Sequence, residues 1–234
     1  MARTPLVLVP GLLCDALQWQ PQIAGLSDIA DCWVAGVASS DTMAGIAADV
    51  LAACPFSEFA LAGLSMGGYV ALEIMRQAPL RITALALLDT TARPDTQDQI
   101  ARRLAFIELA ERGRFAGVTD ALIPFLIHPD RVAEAALTGI IKTMARNIGK
   151  AAFIRQERAI MSRMDSRPLL AQIDCPALVL CGREDKITPP DRHEEMAAAM
   201  PRAELVIVAH CGHLSTLERS DAVNARMRRL LQPR

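Results

Sequence analysis

One stretch of the sequence combines residue types and spacing that allow covalent chemistry, Gly63-Leu64-Ser65-Met66-Gly67, followed by Gly68. A serine hydroxyl is a weak nucleophile at neutral pH and needs a base beside it. The glycines on either side suit a tight, strained turn from a strand into a helix. A Cβ at Gly63 or Gly67 would press on the strand or the helix, and the strain lifts the Ser65 hydroxyl clear of the sheet. The backbone N–H of Met66 then lies at the helix N-terminus, where partial positive charge suits a developing oxyanion.

Such an elbow is accompanied, in chain order, by an acid and then a histidine. The chain has four histidines, His128, His193, His210 and His213. His128 falls in a helical stretch, and His193, next to Glu194 and Glu195, reads as part of a solvated helix face. His210 and His213 both follow the last apolar run. His213 is the preferred base, because the loop after Gly212 lets its imidazole swing over the sheet edge; His210 remains its rival. The preferred acid is Asp185, in Gly182-Arg183-Glu184-Asp185-Lys186, on a loop long enough to reach an imidazole. Asp89 is the rival acid, with a cap on the Thr90-Thr91 turn as its other reading; Glu184 has a weaker claim. A second oxyanion donor belongs to the loop Pro10-Gly11-Leu12-Leu13-Cys14-Asp15, where Gly11 permits close backbone approach. The Leu12 N–H is the expected donor, with Leu13 as the alternative.

These side chains need a scaffold that gathers them at one edge. Short apolar runs at 6–9, 32–37, 58–61 and 82–88 read as strands, separated by helical patterns at 41–54, where Asp41 is the expected cap, and at 67–77. From 94 to 164 the pattern is helical throughout, in pieces at 97–112, 120–126, 129–148 and 149–164. Strands then return at 177–181 and 205–208, with helices at 189–200 and 220–231. Alternation of this kind implies an α/β fold: a mostly parallel sheet of about six or more strands with helices on both faces. The expected division is a core of 1–93 and 167–234 with an inserted helical cap at 94–166.

The composition fits this reading. The chain has 234 residues, 52% hydrophobic and 22% charged, with a formal net charge of −1. No basic block suggests nucleic acid, and no apolar stretch suggests a membrane span or a signal-peptide core, so the cytoplasm is the expected compartment. Six cysteines show neither a C-x-x-C pair nor zinc-site spacing, and neither a metal nor an organic cofactor is expected.

Together these residues resemble the α/β-hydrolase superfamily. The resemblance rests on Val9-Pro10-Gly11-Leu12 with Trp19, the Gly63–Gly68 elbow, Leu87-Leu88-Asp89, Gly182-Arg183-Glu184-Asp185 and Gly212-His213. It implies a serine hydrolase acting on a small-molecule ester or lactone of small to medium acyl size. Ser65, Asp185 and His213 would be its triad, and the Leu12 and Met66 amides its oxyanion hole. The same triad would serve carbon–carbon bond hydrolysis, or a slow-turnover ligand-binding signalling protein. Many members carry His-Gly where this chain has Pro10-Gly11, and since the histidine there usually organises the oxyanion loop, the resemblance does not fix that loop's conformation here. The resemblance also implies that early antiparallel strands are missing or reduced, and that 94–166 forms a lid. Phe125, Leu126, Met144, Phe153, Met161 and Met164 of that segment offer the lining of an acyl pocket, although Met and Phe at helical spacing serve more often as packing.

Overall fold

The computed structural model describes residues 3–232. Six strands form one sheet: β1 (Thr4–Val9), β2 (Ala30–Val34), β3 (Phe59–Leu64), β4 (Ile82–Leu88), β5 (Ala177–Gly182) and β6 (Ala203–Val208). Their order is β2-β1-β3-β4-β5-β6, and every pairing is parallel. The fold expected from the apolar runs is therefore the fold observed.

Parallel strands covered on both faces become continuous apolar runs, and their side-chain alternation divides the core in two. Val7, Val9, Leu61, Leu85, Leu87 and Val179 face one side. Leu6, Leu8, Leu64, Leu88, Leu178 and Leu180 face the other. The ten helices are α1 (Gln20–Leu26), α2 (Met43–Ala53), α3 (Met66–Gln77), α4 (Gln97–Leu109), α5 (Ile123–Leu126), α6 (Ala135–Met161), α7 (Arg167–Leu170), α8 (Pro190–Ala199), α9 (Ser215–Glu218) and α10 (Ser220–Leu231) among the described residues. Ile46 of α2, Val70 of α3 and Met196 of α8 bury against the first face. Leu26 of α1 and Met227 of α10 bury against the second.

Strand order reverses between β1 and β3, so the loops leaving these two strands diverge and open a crevice at the carboxyl edge of the sheet. That is where open α/β sheets bind ligands. The loop at Gly11 and the elbow at Ser65 flank this crevice. Some element boundaries differ from the sequence reading. β3 runs on through Ala62, Gly63 and Leu64, because these residues pair with Ala86, Leu87 and Leu88 of β4. The cap of α2 is Thr42 rather than Asp41, its hydroxyl accepting from the Gly45 amide at 3.1 Å. The pieces expected at 129–148 and 149–164 are largely one helix, α6, kinked at Gly149 by a backbone (φ 72°, ψ 174°) that only glycine adopts easily.

Of the helices between β4 and β5, α4, α5 and α6 lie within 94–166, the segment expected to interrupt the sheet, and α7 lies just beyond it. A capping box of Thr96 and Gln99 starts α4. Buried charges fix its underside: Arg103 meets Asp95 at 2.6 Å and Glu157 at 2.7 Å, and Arg163 meets Asp95 at 2.8 Å. Arg163 also stacks 4.2 Å above the Tyr69 ring of α3, tying the segment to the core. No helix among the described residues is long and apolar enough to cross a membrane.

Candidate active site

The elbow takes the form its glycines require. Ser65 has φ 56° and ψ −117°, a conformation costing of order 1–3 kcal/mol for a residue with a side chain. A Cβ on Gly63 would stand 2.1 Å from the Gly67 carbonyl oxygen, and one on Gly67 would stand 2.1 Å from that of Val9. Hydrogen bonds hold the strained residue from both sides. The Ser65 amide donates to the Leu88 carbonyl at 3.0 Å, and the Thr90 hydroxyl donates to the Ser65 carbonyl at 2.8 Å.

The structure brings Ser65, His213 and Asp185 together. His213 Nε2 lies 2.9 Å from Ser65 Oγ, and His213 Nδ1 lies 2.8 Å from Asp185 Oδ2. An ionised carboxylate only accepts, so Nδ1 carries the proton and Nε2 is left to accept from the serine hydroxyl. Burial disfavours the charged form of Asp185. The charge and hydrogen bond of His213, with bonds from Thr188, outweigh it and hold the carboxyl below its usual range. Burial likewise opposes the imidazolium, yet Asp185 raises the His213 pKa above its ordinary value. Asp185 is locked by an Asx turn: the Ile187 amide donates at 2.8 Å, the Thr188 amide at 3.0 Å and the Thr188 hydroxyl at 2.8 Å. The spacing Asp-x-x-Thr was the sequence signal for this turn, and Thr188 had not been singled out.

The rival residues are engaged elsewhere. Asp89 is buried and does not cap the Thr90-Thr91 turn. It accepts from the Gly182 amide at 3.0 Å and from the Ser215 amide at 3.2 Å, tying the end of β4 to the end of β5 and the start of α9. Burial, then the nearby Asp185 charge, pushes the Asp89 carboxyl well above the carboxylate range. Glu184 accepts from the Cys211 amide at 3.0 Å. His210 is exposed and stands edge-on to His128, with ring centroids 5.5 Å apart. His193 is not on a solvated face: it is fully buried and accepts from the Thr90 amide at 2.9 Å. Burial lowers its pKa to about 4, so it stays neutral. Burial and then Asp15 push the Cys14 thiol up to about 12, and burial also raises Cys211, so neither is a ready thiolate.

Where many members have His-Gly, two glutamines hold the loop that follows β1. Gln18 Oε1 accepts from the Gly11 amide at 2.8 Å, and Gln156 Oε1 accepts from the Leu13 amide at 3.1 Å. Both side chains are fully buried, and Gln156 also donates to the Val37 carbonyl at 3.3 Å. Leu13 itself is held at φ 58°. The amide between the two braced ones, that of Leu12, has no acceptor among the described residues, and neither has that of Met66. The Leu13 N–H, the alternative donor, already has a partner in Gln156. No spacing rule links Gln156 to residue 13 across 143 positions, which is why sequence reasoning missed it.

Glu218 was missed as well. Its carboxylate accepts from the His128 amide at 2.6 Å and the Gly212 amide at 2.9 Å, fixing the loop that carries His213. The His213 amide donates to the Leu126 carbonyl of α5 at 3.0 Å, a second link from the helical segment to the site.

A cavity of about 760 Å³ opens above Ser65, between the sheet edge and the helical segment. Phe125, Leu126 and Phe153 line it. Met144 does pack, fully buried against the second core face. Outside this cavity, His128, Asp130 and His210 are the one group of three potential metal ligands among the described residues, their ligand atoms within 4.8 Å of one another. Asp130 and His210 are exposed, and the group lies apart from Ser65.

A family profile described as the alpha/beta hydrolase fold matches residues 4–220. Among similar proteins, a pimeloyl-[acyl-carrier protein] methyl ester esterase of Neisseria meningitidis is 29% identical over 186 residues, covering 76% of this chain and 72% of its own length. A thermophilic esterase from Thermogutta terrifontis superposes with a TM-score of 0.89 at 29% identity, over 97% of this chain and 89% of that one. The enol-lactonase from Burkholderia xenovorans superposes with a TM-score of 0.88 at 25% identity, over 99% and 92%. With residues 4–220 of its 234 inside the profile, the chain belongs to the α/β-hydrolase fold family and is an enzyme of the hydrolase kind.

Proposed function

We propose that this chain hydrolyses carboxylic esters through an acyl-enzyme on Ser65. The observation that carries the reading is the unbroken line from Ser65 Oγ through His213 to Asp185, with contacts of 2.9 and 2.8 Å. His213 takes the Ser65 proton as Oγ attacks the ester carbonyl. Asp185 keeps the imidazole in the accepting tautomer and stabilises the imidazolium that forms. The Leu12 and Met66 amides receive the oxyanion, a contribution of about 2.7–4 kcal/mol per donor. His213 then protonates the leaving alcohol, the C–O bond breaks, and water, deprotonated by the same imidazole, releases the acid. The esterase and lactonase names of the relatives support an ester or lactone as the small-molecule substrate. In this reading 94–166 is a cap over the cavity, and the six free cysteines suit a reducing compartment such as the cytoplasm.

The test is a panel of nitrophenyl esters of increasing acyl length, with the Ser65→Ala protein alongside. Release that rises and falls with chain length and vanishes in Ser65→Ala supports ester hydrolysis. Release equal in both proteins, or none at any length, refutes it.

A further inference from the structure

The charges in the cavity wall are one-sided. Five lining side chains carry a formal charge besides His213: Arg102, Arg103, Arg114, Lys186 and Glu157. Glu157 and Arg103 neutralise each other at 2.7 Å. The other three, Arg102 of α4, Arg114 after it and Lys186 after β5, are cations with no carboxylate partner among the described residues. Of the acids near them in sequence, Glu108 pairs with Arg112, Glu111 meets Arg158 at 3.2 Å, Asp185 holds His213 and Glu184 accepts from the Cys211 amide, while Asp98, four residues before Arg102, makes no ion pair with it and does not line the cavity. Lys186 Nζ donates only to the Pro124 carbonyl, at 3.1 Å, and so keeps its charge uncompensated. Three unpaired cations in the lining of one cavity, in a protein whose net charge is −1, set a local field opposite to that of the whole molecule.

The cations are exposed, whereas Leu64 and Met66, on either side of Ser65, are apolar and buried, as are Ile141 and Phe153 of the same lining. A ligand matching this order has an ester at one end, an apolar chain and an anion at the other. Resting on the ester-hydrolase reading, we infer that the natural substrate is an ester whose acyl chain ends in a carboxylate or phosphate-type anion, received by Arg102, Arg114 and Lys186. Guanidinium groups suit either anion, since both accept two parallel N–H bonds.

Three methyl esters of equal chain length serve as probes: methyl octanoate, monomethyl suberate and the methyl ester of 8-phosphonooctanoic acid. Their binding to the Ser65→Ala protein is measured by calorimetry at low and high salt, and their hydrolysis by the unaltered enzyme by pH-stat. At least one anionic probe is expected to bind about tenfold tighter than methyl octanoate at low salt. That ratio should shrink at high salt, because exposed charges are screened. It should also fall towards one in Arg102→Gln/Arg114→Gln and, independently, in Lys186→Met. The stronger of the two anionic probes identifies carboxylate or phosphate as the natural end group. Equal binding of all three probes, or a preference that survives both sets of substitutions, overturns the inference. If the anionic preference appears in binding while none of the three esters is hydrolysed, the ester-hydrolase reading fails and the anion site stands.

Discussion

The cavity has two walls of different construction. On the sheet side, Leu64, Met66 and His213 are 0%, 0% and 3% exposed, and hydrogen bonds hold the loops around them. On the helical side, Phe106, Leu109, Leu122 and Phe125 are 41%, 43%, 40% and 54% exposed. Close packing leaves the sheet-side groups one arrangement each, which a reaction needing fixed distances requires. Loosely covered apolar side chains can readjust around ligands of different shape. In the proposed ester hydrolysis the sheet wall would carry the chemical step and the helical wall would select what enters. Gln156 crosses between them, being rooted in α6 and bonded to the Leu13 amide.

Substitutions can break this division, and the largest effect belongs to the sheet wall. Asp185→Asn should lower kcat by about 10⁴-fold, because an amide next to Nδ1 favours the wrong tautomer. The pH profile should move with it. His213 must be neutral to accept the serine proton, so activity rises as pH passes upward through its pKa. Asp185 raises that pKa above the ordinary value of about 6.5, so the acid limb in Asp185→Asn should shift to lower pH. Gln156→Leu leaves the Leu13 N–H buried without a partner and frees the oxyanion loop. Its kcat should fall by about 10- to 100-fold with KM little changed, somewhat less than for loss of a donor itself. A change in KM alone would assign Gln156 to the helical wall instead.

Smaller effects sharpen the contrast. Asp89→Asn places an NH₂ where two backbone amides and a hydroxyl now meet the carboxyl group. Stability should drop by about 1–3 kcal/mol in denaturant unfolding, with turnover within about tenfold of the parent. A loss matching that of Asp185→Asn would restore Asp89 as the acid. Phe125→Ala should change KM for long acyl chains by a few-fold and leave kcat unchanged for short ones, since the ring is half exposed and only lines the cavity.

The sheet wall was also the more legible of the two in the sequence. Apolar runs gave the strands because parallel strands buried on both faces tolerate little else, and Gly63 and Gly67 marked the elbow because backbone atoms stand where their Cβ atoms would be. Asp185 and His213 were found through chain order. What distinguishes Asp185 from Asp89 could not be read there, because both end adjacent strands. The difference lies in partners 93 and 126 residues away from Asp89, the Gly182 and Ser215 amides. His193 looked solvated because Glu194 and Glu195 follow it, yet a helix turns successive residues about 100° apart and this one faces the core. Gln18, Gln156 and Glu218 act on backbone amides, a role open to any residue type with an acceptor and so without a signature in composition or spacing.

The most direct test of the Ser65 assignment is mass spectrometry of the protein after brief exposure to a nitrophenyl ester, quenched in acid. The expected result is an added acyl mass on the peptide containing Gly63 to Gly68, absent from Ser65→Ala and accumulating in His213→Ala no faster than hydrolysis of the free ester. An acyl group found on any other residue, or an equal adduct in Ser65→Ala, would contradict it.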